Sequence, residues 1–256
     1  MRRNPVRAAV RRGELVVGTM VVEFGTPGIG RLAAAAGSDF VLLDTEHNAW
    51  ELETIRSVVS AARGFDTVPL VRVPATEYHL IARTLDVGAL GVMVPMVESA
   101  AQATAFVRAC RYPPAGRRGF GIFYRDEWQG SLGETIAAVN EEILTIAQIE
   151  SAAGLDVVEE IAAVEGLDVL LVGPSDLSIS LGIPGESSHP DFLAALDRVV
   201  AACNAHGPAA GTLATTVDGA RAMIDRGYRF IMYGLDILLY QAALQEGLAA
   251  VREGRP

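Results

Sequence analysis

The amino-acid sequence contains no lysine, and all 21 of its basic residues are arginines. Schiff-base aldolases, pyridoxal-phosphate enzymes and P-loop nucleotide hydrolases each depend on a lysine amine, so the composition excludes these three classes. Cysteine is scarce as well. The two thiols, Cys110 and Cys203, are too few for a disulfide framework, which favours a reducing, cytoplasmic environment. Any carbonyl chemistry of this chain therefore needs an electrophile other than a lysine imine.

Long hydrophobic runs and an excess of positive charge are also missing. No stretch approaches the roughly 18 consecutive apolar residues of a membrane helix, because the longest candidate, 87–97, is interrupted by glycine and Pro95. The net charge is −10 and the pI is near 4.9, which disfavours electrostatic binding of nucleic acid or anionic lipid. We therefore expect a small molecule as the partner, and neither a nucleic acid nor a membrane.

Eight short apolar runs alternate with Ala-rich segments of helical spacing. The runs that predict strands are Leu15–Val22, Phe40–Asp44, Val68–Val71, Leu90–Val94, Leu144–Ile149, Leu167–Val172, Ala209–Leu213 and Arg229–Tyr233. The segments that predict helices are Ile29–Ala36, Leu52–Ala62, Tyr78–Leu85, Ala100–Cys110, Ala152–Ala163, Asp191–Ala205, Val217–Arg226 and about Asp236–Val251. Nearly continuous apolar strands are typical of a parallel sheet covered by helices. The pattern predicts an α/β fold, a (β/α)₈ TIM barrel that forms one domain over residues 1–256.

Two segments stand apart from this alternation. Asn4-Pro5 and the apolar residues spaced three and four apart after it predict a short, solvated helix before the first strand. Between the fourth and fifth strands, Arg111–Gly133 is rich in turns and carries Phe123, Tyr124 and Trp128. Loops of this length are often functional, so we expect either a packed surface or subunit-contact segment or a lid beside the substrate pocket.

Two acidic residues follow neighbouring predicted strands, at the end of a barrel where catalytic groups stand. Glu150 follows the fifth strand and Asp176 the sixth. Together with water and substrate oxygens, two carboxylates suit a hard cation such as Mg²⁺, whereas the histidines and cysteines show no zinc-type spacing. Taken singly, each acid has the alternative role of a helix cap or an ion-pair partner.

Further polar residues follow the second, third and sixth strands. Asp44 precedes His47 by three positions, so its carboxylate could orient the imidazole as a general base, although a structural histidine is the alternative. Arg72 could bind a carbonyl or carboxylate oxygen unless it pairs with a strand-end acid. Gly173-Pro174-Ser175 predicts a turn directly into a helix, whose free amides could receive a carboxylate.

These residues lie within longer motifs. The chain resembles the HpcH/HpaI aldolase family, the metal-dependent pyruvate aldolases, in the runs "LLDTEHNAW", "VPLVRVP", "LDVGALGVMVPMV", "RYPPAGRRGFG", "IAQIESAAGLDVVEEIAAVEGLDVLLVGPSDLS" and "LGIPGESSHP". The resemblance extends from about Asn4 to about Val251, and the D-x-E-H, R-Y-P-P-x-G-x-R-G, Q-I-E and G-P-x-D-L-S motifs stand in the family's order. It implies a barrel of the phosphoenolpyruvate/pyruvate-binding type.

The resemblance also implies a role for each candidate residue. Glu150 and Asp176 take the positions of the metal ligands, for Mg²⁺ or Mn²⁺ with Co²⁺ as a further option. His47 takes that of the general base, Asp44 that of its partner, and Arg72 that of the arginine that stabilises the oxyanion.

Three further matches concern the substrate. Gln148 matches a residue lining the same site, and the backbone of Gly173-Pro174-Ser175 matches the cradle for the pyruvate carboxylate. Asp86 matches an acid that in such enzymes approaches the neighbouring subunit's site. Met20 and the bulky stretch around Tyr233 depart from the family's pattern, so the resemblance leaves the natural substrate open.

The implied reaction is aldol cleavage or condensation of a 4-hydroxy-2-oxo acid, which gives pyruvate or a related 2-oxo acid and an aldehyde through a metal-stabilised enolate. A Lewis-acidic metal would replace the missing lysine imine. The alternatives are an oxaloacetate-type decarboxylase and a biosynthetic enzyme that forms carbon–carbon bonds with the same enolate. A coenzyme A ester lyase and a non-catalytic barrel are less favoured, because the chain lacks a basic cluster suited to coenzyme A and carries the whole set of reactive side chains.

The last predicted helix is apolar over more than one stripe, which is more than a surface helix needs. This pattern predicts that it packs against another subunit. In similar aldolases the terminal helix is exchanged between protomers, and the assembly is a hexamer built as a trimer of dimers. We therefore expect a cytoplasmic homo-oligomer.

Overall fold

Eight parallel strands close in sequence order into a barrel, and the last strand pairs with the first. The structure is a computed structural model, which describes residues 3–121 and 130–253. The strands are β1 (Val16–Val21), β2 (Phe40–Asp44), β3 (Val68–Arg72), β4 (Gly91–Val94), β5 (Leu144–Ile149), β6 (Val169–Val172), β7 (Ala209–Ala214) and β8 (Phe230–Leu235). Each strand lies within two residues of its predicted bounds, and the predicted (β/α)₈ barrel is confirmed.

Twelve helices are present among the described residues. They are α1 (Pro5–Arg11), α2 (Ile29–Ala35), α3 (Leu52–Ala62), α4 (Tyr78–Asp86), α5 (Ala100–Cys110), α6 (Leu132–Glu142), α7 (Ala152–Asp156), α8 (Val158–Ala162), α9 (Pro174–Ser180), α10 (Pro190–His206), α11 (Val217–Arg226) and α12 (Asp236–Arg252). The single helix predicted over Ala152–Ala163 is wrong, because the backbone breaks at Val157 and leaves α7 and α8. None of these helices combines the length and hydropathy of a bilayer span.

Helix α6 was not predicted from the sequence. It begins inside the turn-rich segment, where the Ser131 side chain accepts a hydrogen bond from the Glu134 amide and the Glu134 side chain accepts one from the Ser131 amide. This capping box satisfies two amides that the first helical turn leaves free. The S-x-x-E signal was therefore present in the sequence. The aromatic residues predicted to form a lid or contact, at positions 123, 124 and 128, lie outside the described residues.

The barrel interior is filled by apolar side chains. The rings of Phe40 and Phe230 stack with their centroids 4.4 Å apart. Gly18 allows this packing, since a Cβ there would lie 2.4 Å from the carbonyl oxygen of Phe40. The interior cluster also contains Leu42, Leu70, Met93, Leu144, Ile146, Val169 and Leu171. Ligands are therefore confined to the two ends of the barrel.

Helix α1 covers the amino-terminal end of the barrel. The sequence predicted a solvated helix, and this expectation was wrong for one face, because Val6 and Val10 are buried in the interior cluster. Asn4 caps the helix by accepting a hydrogen bond from the Arg7 amide and donates one to the carbonyl of Leu90 at 2.8 Å. The open end of the barrel exposes apolar side chains, so an amphipathic helix that covers them is stabilised by their burial.

Helix α12 extends from the end of β8, and its first residue, Asp236, is the only one of its residues that is buried. The apolar side chains Leu238, Leu239, Tyr240, Leu244, Leu248 and Val251 are exposed. This chain alone therefore leaves a long apolar helix uncovered.

Candidate active site

A cavity of about 300 Å³ opens at the carboxyl-terminal end of the barrel. Polar and apolar residues line different parts of it. The polar side chains are Asp44, His47, Arg72, Gln148, Ser175 and Asp176. The apolar ones are Met20, Val22, Leu171, Val172, Pro174, Leu213, Met232 and Leu235. The cavity thus combines a charged side with an apolar wall, as sites for small polar ligands do.

Asp44 and Arg72 end neighbouring strands and are partners in the β2–β3 register. The Arg72 guanidinium donates from Nε to Oδ1 of Asp44 at 2.7 Å and from Nη2 to Oδ2 at 2.9 Å. The amides of Glu46 and His47 donate to the same carboxylate at 3.0 and 3.3 Å. Asp44 therefore orients Arg72 and the main chain of the D-x-E-H turn, and the expected contact with the imidazole of His47 is not made here.

Glu46 is a member of the site that the sequence reasoning missed. Its Oε2 lies 3.0 Å from Nη1 of Arg72 and 3.7 Å from Nε2 of His47, so this carboxylate takes the place expected for Asp44 beside the imidazole. Burial raises the pKa of Glu46 against the opposing pull of Arg72 and His47. The only signal was the third letter of the D-x-E-H motif, directly before His47, whereas the expected partner was Asp44, three positions before it.

Polar contacts connect Arg72 to the fifth strand. Nη1 of Arg72 lies 3.5 Å from Oε1 of Gln148, whose Nε2 donates to Oε2 of Glu150 at 2.5 Å. The amide of Met96 donates to the other oxygen of Glu150 at 2.8 Å. Although burial acts to lower the pKa of Arg72, Asp44, Glu46 and Glu150 outweigh it, and the net shift is upward. Arg72 therefore stays positively charged within the site.

Glu150 is the carboxylate of the site with the largest shift in pKa. Burial, together with the negative charges of Glu46 and Asp176, raises its pKa to about 7 even though the Met96 amide and Arg72 oppose this. Three carboxylates are thus close enough to repel one another, and a cation would relieve that repulsion. Within residues 3–121 and 130–253, no group of three or more His, Cys, Asp or Glu is placed to hold a metal.

The donor set nevertheless fits a divalent cation that keeps open positions. Glu150 and Asp176 present carboxylate oxygens, the ligands that hard cations such as Mg²⁺ prefer, and such ions usually bind one or two carboxylates and several waters. Gly173 holds the space beside them, because a Cβ there would lie 2.6 Å from Oε2 of Glu150 and 2.7 Å from Nε2 of Gln148. The residues present are therefore consistent with the predicted cofactor.

A second residue missed by the sequence reasoning holds the loop after β1. The carboxylate of Asp236 accepts hydrogen bonds from the amides of Val22, Glu23 and Phe24 at 3.0, 3.0 and 2.7 Å. Because Val22 lines the cavity, Asp236 fixes one part of its rim. An acid that opens a helix was visible in the sequence, but its three distant partners were not.

Asp86 lies away from this cavity, at the last residue of α4. Its Oδ1 accepts a hydrogen bond from Nη2 of Arg118 at 2.7 Å. The other predicted site residues line the cavity or contact residues that do. Tyr233, in the bulky stretch that departs from the family's pattern, lines an apolar groove between β1 and α2.

The strands form a closed barrel with carboxylates, an arginine and a histidine at its carboxyl-terminal end. This arrangement is that of (β/α)₈ barrel enzymes, whose active sites lie at the same end. The chain belongs to the HpcH/HpaI aldolase/citrate lyase family, whose model matches residues 23–243. The predicted family is therefore confirmed.

Named relatives match nearly the whole chain. Hydroxypyruvate/pyruvate aldolase of Delftia acidovorans is 41% identical over 244 residues, which cover 94% of this chain and 90% of that protein. 2-Keto-3-deoxy-L-rhamnonate aldolase of Escherichia coli K12 is 34% identical over 254 residues, 98% of this chain and 94% of that protein. The crystal structure of an HpcH/HpaI aldolase from Desulfitobacterium hafniense superposes with a TM-score of 0.92 at 32% identity, covering 97% and 96% of the two chains. The predicted class, an aldolase-type carbon–carbon lyase, is confirmed.

Proposed function

We propose that the chain is one catalytic domain that cleaves or forms 4-hydroxy-2-oxo acids, with pyruvate or a related 2-oxo acid and an aldehyde as the other partners. The observation that carries this proposal is the continuous set of contacts from Asp44, Arg72 and Gln148, which line one cavity, to Glu150 behind Gln148. The aldolases among its relatives act on small oxo acids by name, and the cavity of about 300 Å³ suits substrates of this size.

Glu150 and Asp176 are the residues that would hold a divalent cation, Mg²⁺ or Mn²⁺ first and Co²⁺ as a further option. When bound, such a cation supplies a Lewis acid that polarises the keto oxygen of the 2-oxo acid. The support is the chemistry of the two donors and the raised pKa of Glu150, which is caused first by burial and then by the negative charges of Glu46 and Asp176. This assignment also accounts for a lyase without any lysine.

The remaining residues bind and orient the substrate. Arg72 is fixed by two hydrogen bonds from its Nε and Nη2 to Asp44, so its Nη1 is held in place to stabilise negative charge on a substrate oxygen. Gln148 lines the cavity beside it, and the main chain of Gly173-Pro174-Ser175 forms the wall where the substrate carboxylate would bind. The apolar wall around Met20 and Met232 faces the part of the substrate that differs between 2-oxo acids.

His47 moves the proton. Its side chain is 65% exposed at the rim of the cavity, and Glu46 lies 3.7 Å from Nε2, so the ring is open to solvent and has a carboxylate beside it. In the condensation direction His47 takes a proton from the methyl group of pyruvate. In the cleavage direction it takes the proton of the 4-hydroxyl group, the bond between C3 and C4 breaks to release the aldehyde, and the pyruvate enolate that keeps the electron pair takes the proton back from His47 at C3.

Exchange of the pyruvate methyl protons in deuterated water, followed by proton NMR, tests this function without knowledge of the aldehyde. We expect exchange in the presence of Mn²⁺ or Mg²⁺ and its loss after exhaustive chelation. Glu150→Gln should lose divalent cation binding in calorimetry, whereas Glu53→Gln, on the exposed face of α3, should retain it. Exchange that survives chelation contradicts the metal assignment. Pyruvate release from oxaloacetate without cleavage of any 4-hydroxy-2-oxo acid in a panel favours a decarboxylase instead.

We further propose a homo-oligomer, a hexamer built as a trimer of dimers with α12 exchanged between protomers. The support is the uncovered apolar surface of α12 together with an apolar groove of about 500 Å³ beside it, lined by Val17, Val21, Phe24, Ile29, Leu32, Ala33 and Leu239. A cytoplasmic location fits the two free thiols, which are both buried.

A further inference from the structure

A second cavity, of about 730 Å³, lies at the amino-terminal end of the barrel, opposite the catalytic one. Residues of α1, α5, α6 and α8 line it, together with residues of the segment after α5 and of the loop that precedes β6. Four of the lining residues are arginines, namely Arg7, Arg11, Arg108 and Arg111. The proposed reaction uses none of them, although Arg111 opens the R-Y-P-P-x-G-x-R-G motif.

Arg111 is buried at this cavity, with only 4% of its surface exposed. Neither Nη1 nor Nη2 has a hydrogen-bond partner in the structure. The acid nearest to it is Asp168, whose Oδ2 lies 3.5 Å from Nη2. A guanidinium group whose two terminal nitrogens are buried without hydrogen-bond partners loses hydration and gains little in return, so such an arrangement calls for a ligand.

Asp168 does not supply that ligand, because its oxygens already have other donors. Nε of Arg7 lies 3.1 and 2.9 Å from the two oxygens, and the amide and hydroxyl of Thr145 donate to Oδ2 at 3.0 and 3.1 Å. Nε of Arg11 also lies close to this carboxylate, 3.4 Å from Oδ1. Three guanidinium groups therefore share one buried carboxylate, which leaves an excess of positive charge on the cavity floor.

The acids at the rim do not cancel this excess. Glu141 lies 3.1 Å from Nη1 of Arg11 but is 69% exposed, and the side chains of Glu160 and Glu165 are also exposed to solvent. Water and salt screen charges in such positions far more than on the buried floor. Burial, assisted by the neighbouring charges of Arg7 and Arg11, lowers the pKa of Arg111, as expected for a buried cation that shares its one nearby carboxylate with two other guanidinium groups.

We propose that this cavity binds a phosphate group, either inorganic phosphate or the monoester of a small metabolite. A tetrahedral oxyanion presents oxygens to guanidinium groups on several sides at once, and arginine binds phosphate through paired, charge-assisted hydrogen bonds. Arg111 contacts it from the floor, where Arg7 adds positive charge while its Nε donates to Asp168 and its Nη1 to the carbonyl of Glu141, and Arg11 and Arg108 approach from the rim. The cavity is larger than a phosphate ion, so it has room for the rest of an ester.

Calorimetry with inorganic phosphate on the full-length chain tests this site. Because Arg72 could also attract an anion, each measurement is repeated in an Arg72→Met background, where binding should persist. Arg111→Met should weaken phosphate binding by about tenfold or more, the effect of losing a charge-assisted hydrogen bond. Arg221→Met, an exposed arginine on α11 outside the cavity, should leave the affinity unchanged.

Arg108→Met provides a second variant if Arg111→Met does not fold, because Arg108 is exposed at the rim; we expect its affinity to fall by about two- to fivefold. Tighter binding of glycerol 3-phosphate than of inorganic phosphate, with no binding of glycerol, identifies an ester as the preferred form. Equal affinities for glycerol 3-phosphate and inorganic phosphate identify the free ion. The proposal is overturned if the native chain binds neither anion, if Arg72→Met abolishes binding, or if both cavity variants bind phosphate as the native chain does.

Discussion

The guanidinium of Arg72 and the carboxylate of Asp44 face each other across neighbouring strands and are joined by two hydrogen bonds, of 2.7 and 2.9 Å. Both side chains are almost fully buried. The pairing leaves Nη1 of Arg72 directed toward Glu46 and Gln148, at 3.0 and 3.5 Å. A backbone register formed by apolar strands thus sets the direction of the one cation that lines the catalytic cavity among the described residues.

Asp44→Asn should damage both activity and stability. The variant replaces one charged acceptor of Arg72 by an amide and leaves a buried cation less compensated, which lowers the free energy of unfolding by about 3–5 kcal/mol. We expect kcat/KM for aldol cleavage to fall by about 10²-fold or more, because Arg72 is no longer held in one orientation. Steady-state kinetics and urea unfolding measure the two effects. Asp225→Asn, exposed on α11, is the control, and native kinetics in Asp44→Asn would contradict the positioning role.

His47→Ala should separate catalysis from stability. The side chain is 65% exposed, so its removal should leave the thermal midpoint within about 2 °C of the native value. If His47 transfers the proton, exchange of the pyruvate methyl protons should slow by about 10²-fold or more. His206→Ala, at the exposed end of α10, should exchange at the native rate. Native exchange in His47→Ala would assign the proton transfer to another group, with Glu46 as the first candidate.

The raised pKa of Glu150 makes the stability of the metal-free protein depend on pH. Its pKa is about 7 in the folded chain against 4.5 as the ordinary value, so between these values the folded chain holds an extra proton. This contribution is fully present below about pH 4.5 and is lost as pH rises through 7, by up to about 3 kcal/mol. Glu46, whose pKa is also raised, acts in the same direction.

Urea unfolding of the metal-free chain between pH 5 and 8 measures this slope, because most of the change in stability falls between about pH 4.5 and 7. Glu150→Gln should flatten the slope, whereas Glu53→Gln should retain it. A divalent cation binds the ionised carboxylate, so its affinity should rise over the same interval and its binding should release protons below about pH 7. Stability of the native metal-free chain that rises with pH across this window would contradict the assignment.

Gly173→Ala should abolish cation binding in a folded protein. Gly173 has φ of −85°, which any residue adopts, so the effect comes from space and not from backbone strain. The new Cβ would lie 2.6 Å from Oε2 of Glu150 and would force that carboxylate to move. Gly133→Ala is the matched control, since its nearest neighbour would be the Ser131 hydroxyl at 3.9 Å. Calorimetry with Mn²⁺ distinguishes them, and native affinity in Gly173→Ala would exclude Glu150 as a ligand.

The sequence predicted the barrel well because its signals are local. Runs such as Phe40–Asp44 are apolar at nearly every position, and such runs are strands buried on both faces. The helix break at Val157 was not predictable in this way, because Ala152–Ala163 keeps helical spacing across it. Tertiary packing against the barrel decides where such a segment bends.

The members of the site were easier to predict than their contacts. Strand ends placed Asp44, Arg72, Glu150 and Asp176 on one rim, since parallel strands all end on the same side. Which acid lies beside His47 depends on how the turn folds, and there Glu46 occupies the position expected for Asp44. Sequence spacing gives proximity along the chain, whereas hydrogen-bond partners depend on the orientation of side chains that spacing does not record.

The apolar surface of α12 leads to a prediction about assembly. Leu244 and Leu248 are 46% and 42% exposed and lie four residues apart, so they share one side of the helix. If this side is buried between protomers, the double variant Leu244→Asp with Leu248→Asp should dissociate the oligomer, because each charge would have to lose its hydration in the interface. Light scattering should give a smaller species for this variant and the native assembly for Gln245→Asp.

Since α12 begins at Asp236, which holds the rim of the cavity through three amides, dissociation should also lower kcat/KM. A native chain that is monomeric in light scattering would exclude helix exchange, and activity unchanged in the dissociated variant would show that each barrel carries a complete site.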